Sequence, residues 1–272
     1  MKRRHRNEKY QYGNYDRYYA TRNEERWNDP RLRILRPEWF YNRRVLDIGC
    51  NDGTITLMIA ATLNPSFILG VDIDYKLINR AVDNLVYLEK CSQEEDEEQE
   101  RKELLHEIKS LPKSFQVYLQ AHTQLGGVQN NKLIRPSVDV TSPNFPENVC
   151  FRVENFIATQ ENEKWETILC LSTVKWIHLN WGDEGVKYLF TKIYASLVHG
   201  GYFLLESQQW LSYKKTRRRT EHILEMYHSI QLRPNQFQEY LIGLGFELVE
   251  KLEPKEGRDW FKRPIIVYQK NR

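Results

Sequence analysis

Long apolar runs are absent: no stretch of the 272 residues approaches the length that crosses a membrane. The opening Met1-Lys2-Arg3-Arg4-His5-Arg6 also lacks the apolar core of a signal peptide, so neither a spanning segment nor a cleaved leader is expected. Cysteine is scarce. Cys50, Cys91, Cys150 and Cys170 show no metal-ligand spacing, and two lie in apolar strand patterns. They read as reduced thiols of an intracellular protein, and no metal site is expected. A complete dinucleotide-gripping glycine loop is missing as well. After the apolar strand 44–48 comes Gly49-Cys50-Asn51-Asp52-Gly53, with Asn51 in place of the second glycine and acidic Asp52 where a pyrophosphate would sit.

The segment Val45–Gly53 nonetheless has the form of a ligand-binding turn. Gly49 permits a tight bend and close backbone approach, and Gly53 opens a helix over 54–63. About twenty residues on, Val71-Asp72-Ile73-Asp74 ends a second strand, and a carboxylate at Asp72 suits the two hydroxyls of a ribose. An acidic loop repels pyrophosphate but tolerates a cationic sulfonium. S-adenosylmethionine is therefore the expected cofactor rather than NAD, with Asp47, Gly49, Cys50, Asn51, Gly53 and Asp72 as its candidate site. The competing reading is an ordinary strand–turn–helix with an accidental glycine pair, and Asp72 weakens it.

With 40% hydrophobic residues the chain suits one large α/β domain, or a domain plus a tail. The pattern predicts strands over 44–48, 67–72, 149–153, 167–171 and 202–206, helices over 54–63, 75–88, 183–197 and 234–244, and a closing antiparallel pair, 246–252 with 265–269. Such alternation implies a mostly parallel sheet covered on both faces, with ligands beyond the carboxyl ends of its strands. Two stretches break the pattern, 91–147 and 207–230, and both read as insertions in a domain spanning 45–272.

The net charge of +3 hides strong local bias. Residues 1–44 hold 13 Lys/Arg against 6 Asp/Glu, whereas 89–107 hold 9 acidic residues against 3 basic. A further cationic run contains Lys214, Lys215, Arg217, Arg218 and Arg219. Solvated surface is the ordinary account of such runs, and a nuclear-localisation patch is another for 214–219. Two separate basic blocks, the first interleaved with tyrosines that include Tyr15, Tyr18 and Tyr19, lean toward a nucleic-acid partner.

The stretch Leu171–Asp183, reading Leu-Ser-Thr-Val-Lys-Trp-Ile-His-Leu-Asn-Trp-Gly-Asp, follows the fourth strand. It is too polar for a core helix and too aromatic for a plain surface loop. Lys175 and His178 lie three apart, so one helical turn sets both on one side. With the segments 12–19, 31–40, 45–53, 71–74, 206–213 and 230–237, this stretch resembles the methylphosphate capping enzymes, the bicoid-interacting-protein methyltransferases. The resemblance implies a Rossmann-like class I S-adenosylmethionine-dependent fold with a seven-stranded sheet. It also implies methylation of a terminal 5′ phosphate of RNA, the γ-phosphate of small noncoding RNAs in one branch and 5′-monophosphates in another.

On that resemblance Tyr19 and Arg31 contact the cofactor, Ile73 packs by the adenine, Asn155 and Phe156 flank the base, and Leu171 lies near the methionine end. Tyr18, Arg22, Lys175 and His178 surround the phosphate; on the charge pattern, Tyr15 in the basic N-terminal block and the 214–219 cations engage the RNA. A nuclear setting with other RNA-binding proteins is implied too. Ser207 departs from the proline common in the family, and Phe156 from tyrosine. Two other readings stand beside this one: an RNA-stabilising subunit that uses the fold as a 5′-end clamp, and a small-molecule methyltransferase, which accounts poorly for the charge blocks.

Overall fold

The computed structural model describes residues 11–15, 27–91, 142–160, 163–254 and 262–271. Tyr18, Tyr19, Arg22 and residues 92–141 of the expected first insertion lie outside these. The chain divides into a unit of Met1–Leu85 with Val138–Arg272, described below, and a second of Val86–Ser137. Of the latter the described residues, 86–91, are helical.

Strand β1 (Arg44–Ile48) is central because Val45 through Ile48 are all buried, which only a strand covered on both faces permits. It pairs in parallel with β2 (Phe67–Asp72), which pairs with β3 (Val149–Val153). On its other side β1 pairs with β4 (Trp165–Leu171), which pairs with β5 (Leu197–Glu206). The antiparallel strands β6 (Phe246–Leu252) and β7 (Ile265–Lys270) complete the order β3-β2-β1-β4-β5-β7-β6. This is the seven-stranded, mostly parallel sheet that the alternation implies. The chain runs outward from β1 through β2 to β3, then returns to β4 on the opposite side, so a crevice opens at the strand ends beside β1.

Helix α1 (Thr54–Thr62) starts at Gly53, whose φ of 73° is left-handed. A Cβ there would stand 2.7 Å from the Phe151 ring and 2.8 Å from Ala81 Cβ, so glycine serves both the turn and the packing. Residues 75–91 form α2. Helix α3 (Val174–Ser196) differs from expectation by beginning nine residues before Asp183. Its first two turns, with Lys175, His178 and Asn180, are buried despite their polarity because each of these side chains has hydrogen-bond partners in neighbouring segments. The helix breaks at Gly182 (φ 65°, ψ −163°), one residue before Asp183, where the sequence pattern places the helix start.

The segment 207–230 is more regular than an insertion suggests. It forms α4 (Trp210–Thr216) and α5 (Glu221–Ser229), the latter capped by Thr220 accepting from the Ile223 N–H. Leu179 of α3, Tyr213, Ile223 and Ile230 make a small core of their own there. Helix α6 (Phe237–Gly243) follows a single 3-10 turn at Pro234–Gln236.

A buried ionic cluster ties the N-terminal region to the sheet. Arg31 donates to Asp29 (2.8 Å) and to Glu206 at the end of β5 (3.1 Å), and the three side chains are 0–1% exposed. The other Glu206 oxygen accepts from Arg263 Nε at 2.8 Å. Removing one member strands the opposite charges in a low dielectric. Arg31→Met should therefore lower the unfolding free energy by about 3–5 kcal/mol, read by urea titration; an unchanged midpoint would show that the cluster does not hold the fold.

Candidate functional site

The strand ends at the crevice enclose a cavity of about 860 Å³. Its floor is the turn after β1. The Gly49 and Cys50 N–H groups donate to the Val71 carbonyl (2.8 and 3.0 Å), and the Asn51 N–H donates to Asp72 Oδ2 (3.0 Å). Gly49 and Asn51 both have positive φ, 78° and 54°. A Cβ at Gly49 would lie 2.2 Å from Thr173 Oγ1, so the turn can sit against α3 only as glycine. The turn and Asp72 thus form one hydrogen-bonded piece.

On the β2–β3 side the wall is Asp72, Ile73, Asn155 and Phe156. Phe156 is held by Lys192, whose Nζ donates to the Phe156 and Thr159 carbonyls and lies 4.1 Å from the Phe156 ring centre. On the β4–β5–β7 side the wall is Leu171, Lys175, Lys215, Lys262 and Arg263. Residues 12–15 and the indoles of α3 line it as well. Tyr12 stacks on Trp181, Tyr15 meets Trp176 edge-on, and Gly13 lies so near Trp176 that a Cβ would clash at 2.1 Å.

Of the expected site residues, the structure gathers Tyr15, Gly49, Asn51, Asp72, Ile73, Asn155, Phe156, Leu171, Lys175 and Lys215 on this cavity. Others turn away from it. Asp47 accepts from Thr56 Oγ1 (2.6 Å) beneath α1, and the Cys50 side chain points into the core. Gly53 packs on Phe151, and Arg31 is held by Asp29 and Glu206. His178 is also redirected. It is fully buried, with Nε2 2.8 Å from Asp183 Oδ1 and Nδ1 3.3 Å from the Tyr213 hydroxyl, so it cannot touch a phosphate in the cavity. Helical spacing set it on the side of Lys175, but the buried helix has neighbours on every side.

The cationic run divides. Arg219 donates to the Tyr15 hydroxyl (2.8 Å) and lies over the Trp176 ring, Arg217 lies over Tyr227, and Lys214 and Arg218 face solvent. Sequence reasoning missed Lys262 and Arg263, because neither falls in a charge run, and Gln208, Ser212 and Thr216, because neutral polar groups carry no signal until a charged neighbour is placed beside them. Gln208 donates to the Ser172 carbonyl (2.6 Å) and so holds the loop after β5 in which Ser207 replaces proline.

Burial shapes the electrostatics. Asp72 is pushed up to about 6 by desolvation, although backbone N–H groups of Asp74 and Asn51 oppose the shift. Its oxygens keep accepting capacity for donors such as ribose hydroxyls. Asn14 Oδ1, Asn51 Oδ1 and Gln208 Oε1 are buried acceptors with no donor among the described residues, and these three side chains line the cavity. A ligand bearing amino groups would satisfy them. Lys175 is brought down to about 7 by burial first, then by the Arg263 and Arg219 charges. Its amine lies 3.1 Å from Ser212 Oγ and 3.3 Å from Thr216 Oγ1. One cavity thus offers the Asp72 carboxylate with the Asn14 and Asn51 acceptors on one side, and on the other a wall of cationic side chains of which Arg263 is paired with Glu206.

Comparison with known proteins identifies the family and the fold. The model of the Bicoid-interacting protein 3 (Bin3) family matches residues 165–270. The 7SK snRNA methylphosphate capping enzyme of Homo sapiens is 37% identical over 290 residues; the match covers 97% of this chain but 40% of that protein's length. A probable RNA methyltransferase of Arabidopsis thaliana is 36% identical, with 97% of this chain and 81% of the relative covered. Among solved structures, the N-methyltransferase NodS of Bradyrhizobium japonicum in complex with S-adenosyl-L-homocysteine superposes with a TM-score of 0.56 at 10% identity, covering 100% of both chains. That likeness establishes the Rossmann-like class I methyltransferase fold.

The depressed Lys175 pKa fixes the sign of a stability effect. An unfolded lysine titrates near 10.4, and the folded one near 7. Below about 7 the amine is charged in both states and the burial penalty is fully present. Between about 7 and 10.4 the unfolded chain binds the extra proton, so stability rises with pH, by at most about 1.4 kcal/mol per unit. Lys175→Met should therefore stabilise the ligand-free protein most near pH 6.5, with the gain fading by pH 10. Urea midpoints of both proteins across this range read the difference, and a constant difference would contradict a depressed lysine.

Proposed function

The chain belongs to the Bicoid-interacting protein 3 family, and from that premise we propose that it is an S-adenosylmethionine-dependent RNA methyltransferase acting on the terminal γ-phosphate at the 5′ end of a small noncoding RNA. A nuclear location and a ribonucleoprotein setting with other RNA-binding proteins follow from such a substrate. The observation that carries the reading is the single cavity in which Asp72 faces a wall formed by Lys175, Lys215, Lys262 and Arg263.

The cofactor supplies an electrophilic methyl group on a sulfonium centre. Asp72 would take the ribose hydroxyls, and Ile73, Asn155 and Phe156 would enclose the adenine. The turn Gly49–Asn51 and the free acceptors of Asn51 and Gln208 would meet the cofactor's polar groups. Acidic Asp52 accepts from the Thr54 hydroxyl (2.7 Å), so it stays on the protein and adds no direct contact to the cavity.

A terminal phosphate is already anionic at neutral pH, so no strong base has to remove a proton. What the protein supplies is positioning. Holding a phosphate oxygen close to the methyl group and in line with its bond to sulfur supplies much of the acceleration. Lys175 is the group placed for this, since it lines the cavity from the start of α3 and its amine bonds Ser212, which lines the same cavity. A half-neutral lysine suits this role, because binding a phosphate restores its proton and a single hydrogen bond leaves other oxygens nucleophilic. Lys215, Lys262 and Arg263 would offset the remaining phosphate charge. Arg219, Tyr15 and the exposed cations Lys214 and Arg218 extend the basic surface toward the chain of the RNA.

Lys175→Ala should reduce transfer of labelled methyl to a 5′-triphosphate RNA by roughly 100-fold or more while leaving cofactor affinity within about twofold. Loss of both in calorimetry would assign Lys175 to the cofactor site instead, and full RNA retention by a wild-type protein with no turnover would favour the clamp. Replacing Lys214, Lys215, Arg217, Arg218 and Arg219 with glutamine should weaken RNA binding and make log K against log salt shallower by about 0.7 for each phosphate no longer neutralised. An unchanged slope would place the RNA elsewhere.

A further inference from the structure

Building on that reading, we propose that Ser212 and Thr216 are positioning residues: their hydroxyls, on one face of α4, hold the Lys175 amine aimed at the phosphate. Ser212 falls inside the matched segment 206–213 and Thr216 beyond it, and no charge or spacing singles out either. They lie four residues apart, so α4 presents both hydroxyls on a single stripe, and both reach Lys175 Nζ, at 3.1 and 3.3 Å. Thr216 Oγ1 donates its own proton to the Ser212 carbonyl (3.0 Å), which turns its lone pairs toward the amine. An ammonium only donates, so two such acceptors favour its charged form and fix its direction.

The helix carrying these hydroxyls is itself clamped. Tyr213 leaves α4 on another side, is fully buried and meets His178, whose second nitrogen is bonded to Asp183. Asp183 also accepts the N–H groups of Gln231 and Leu232, beyond α5. The break at Gly182 brings Asp183 into reach. Helix α3 therefore grips α4 at two points one turn apart: His178 on the buried tyrosine and Lys175 on the two hydroxyls. His178 acts through α4 rather than on the phosphate.

The charged groups facing Lys175 are Arg263 ahead of β7 and Arg219 after α4, with Lys215 and Lys262 on the same cavity wall. These repel the ammonium, and burial disfavours it further. Neutral acceptors that stabilise it without adding a counter-charge leave it able to pair with a phosphate. An aspartate in place of Ser212 would hold the lysine better but compete with the substrate.

The test is a titration of the Lys175 side chain by NMR in the full chain labelled with 13C-lysine, the Cε signal being assigned with Lys175→Arg. Ser212→Ala and Thr216→Val should each lower the titration midpoint by up to about one pH unit, as expected for losing a hydrogen bond to a charged group. The alkaline limb of kcat/KM on a 5′-triphosphate RNA should move the same way, with about a tenfold loss at pH 7.5 and cofactor affinity unchanged. Ser212→Thr, which keeps the hydroxyl, should restore both. Midpoints equal to wild type in both variants would overturn the proposal, as would a Ser212→Thr protein no better than Ser212→Ala. The titration needs no turnover, so a shifted midpoint in a protein that transfers no methyl group would defeat the methyltransferase reading while leaving the hydroxyl–lysine contact in place.

Discussion

The carboxylate of Glu206, buried at the end of β5, is the point on which the site rests. One oxygen accepts from Arg31 and the other from Arg263, and the Glu206 carbonyl takes the Ser172 N–H that follows β4. Arg263 reaches on to the Ser172 hydroxyl at 3.0 Å, and Asp29 completes the charge balance around Arg31. Four separate segments are therefore joined by one ion cluster: residues 29–31 ahead of the 3-10 turns that precede β1, the end of β4, the end of β5 and the approach to β7. Buried charges of this kind contribute little net stability over an apolar core, but they specify a single arrangement because every alternative leaves a charge unpaired. That arrangement brings Arg263 and the residues after β4 to the same wall.

The site combines opposed demands by distributing them along the sheet. The β2–β3 side concentrates acceptors, and burial makes the Asp72 carboxylate avid for donors. The β4–β5–β7 side concentrates donors, and the same burial leaves Lys175 poorly charged until an anion arrives. A ligand with amino and hydroxyl groups at one end, and a phosphate presented at the other, relieves both penalties together. Desolvation thus favours binding at both ends, without a strongly ionised residue poised for proton transfer.

Much of the frame was legible beforehand. Five strand patterns and the closing antiparallel pair appear in the sheet, with boundaries displaced by a few residues; in the central strands β1, β2 and β4 burial on both faces leaves a continuous apolar signature. Asp72 and the Gly49 turn were readable as a pair since strand end, glycine and acid are local signals. The polar start of α3 was harder. Lys175, His178 and Asn180 looked too hydrophilic for a buried helix, and their partners Ser212, Tyr213 and Gln11 come from distant parts of the chain. Local polarity cannot reveal that such groups are satisfied at long range.

The sequence by itself determined the strand–helix alternation, the bend at Gly49, the carboxylate at Asp72 and the basic character of the surface, since each depends on backbone conformational limits, hydrophobic period or net charge. Only the tertiary structure decided which polar residues face the cavity. Asp47 and Cys50 were expected from the loop, Arg31 from the family resemblance and His178 from helical spacing and the resemblance, yet side-chain direction and competing partners turn them inward. Lys262, Arg263, Ser212 and Gln208 entered because folding brings remote strand ends together. The reason is physical: a ligand is met by side chains that point at one volume, and direction is fixed by packing and hydrogen bonds across the whole fold.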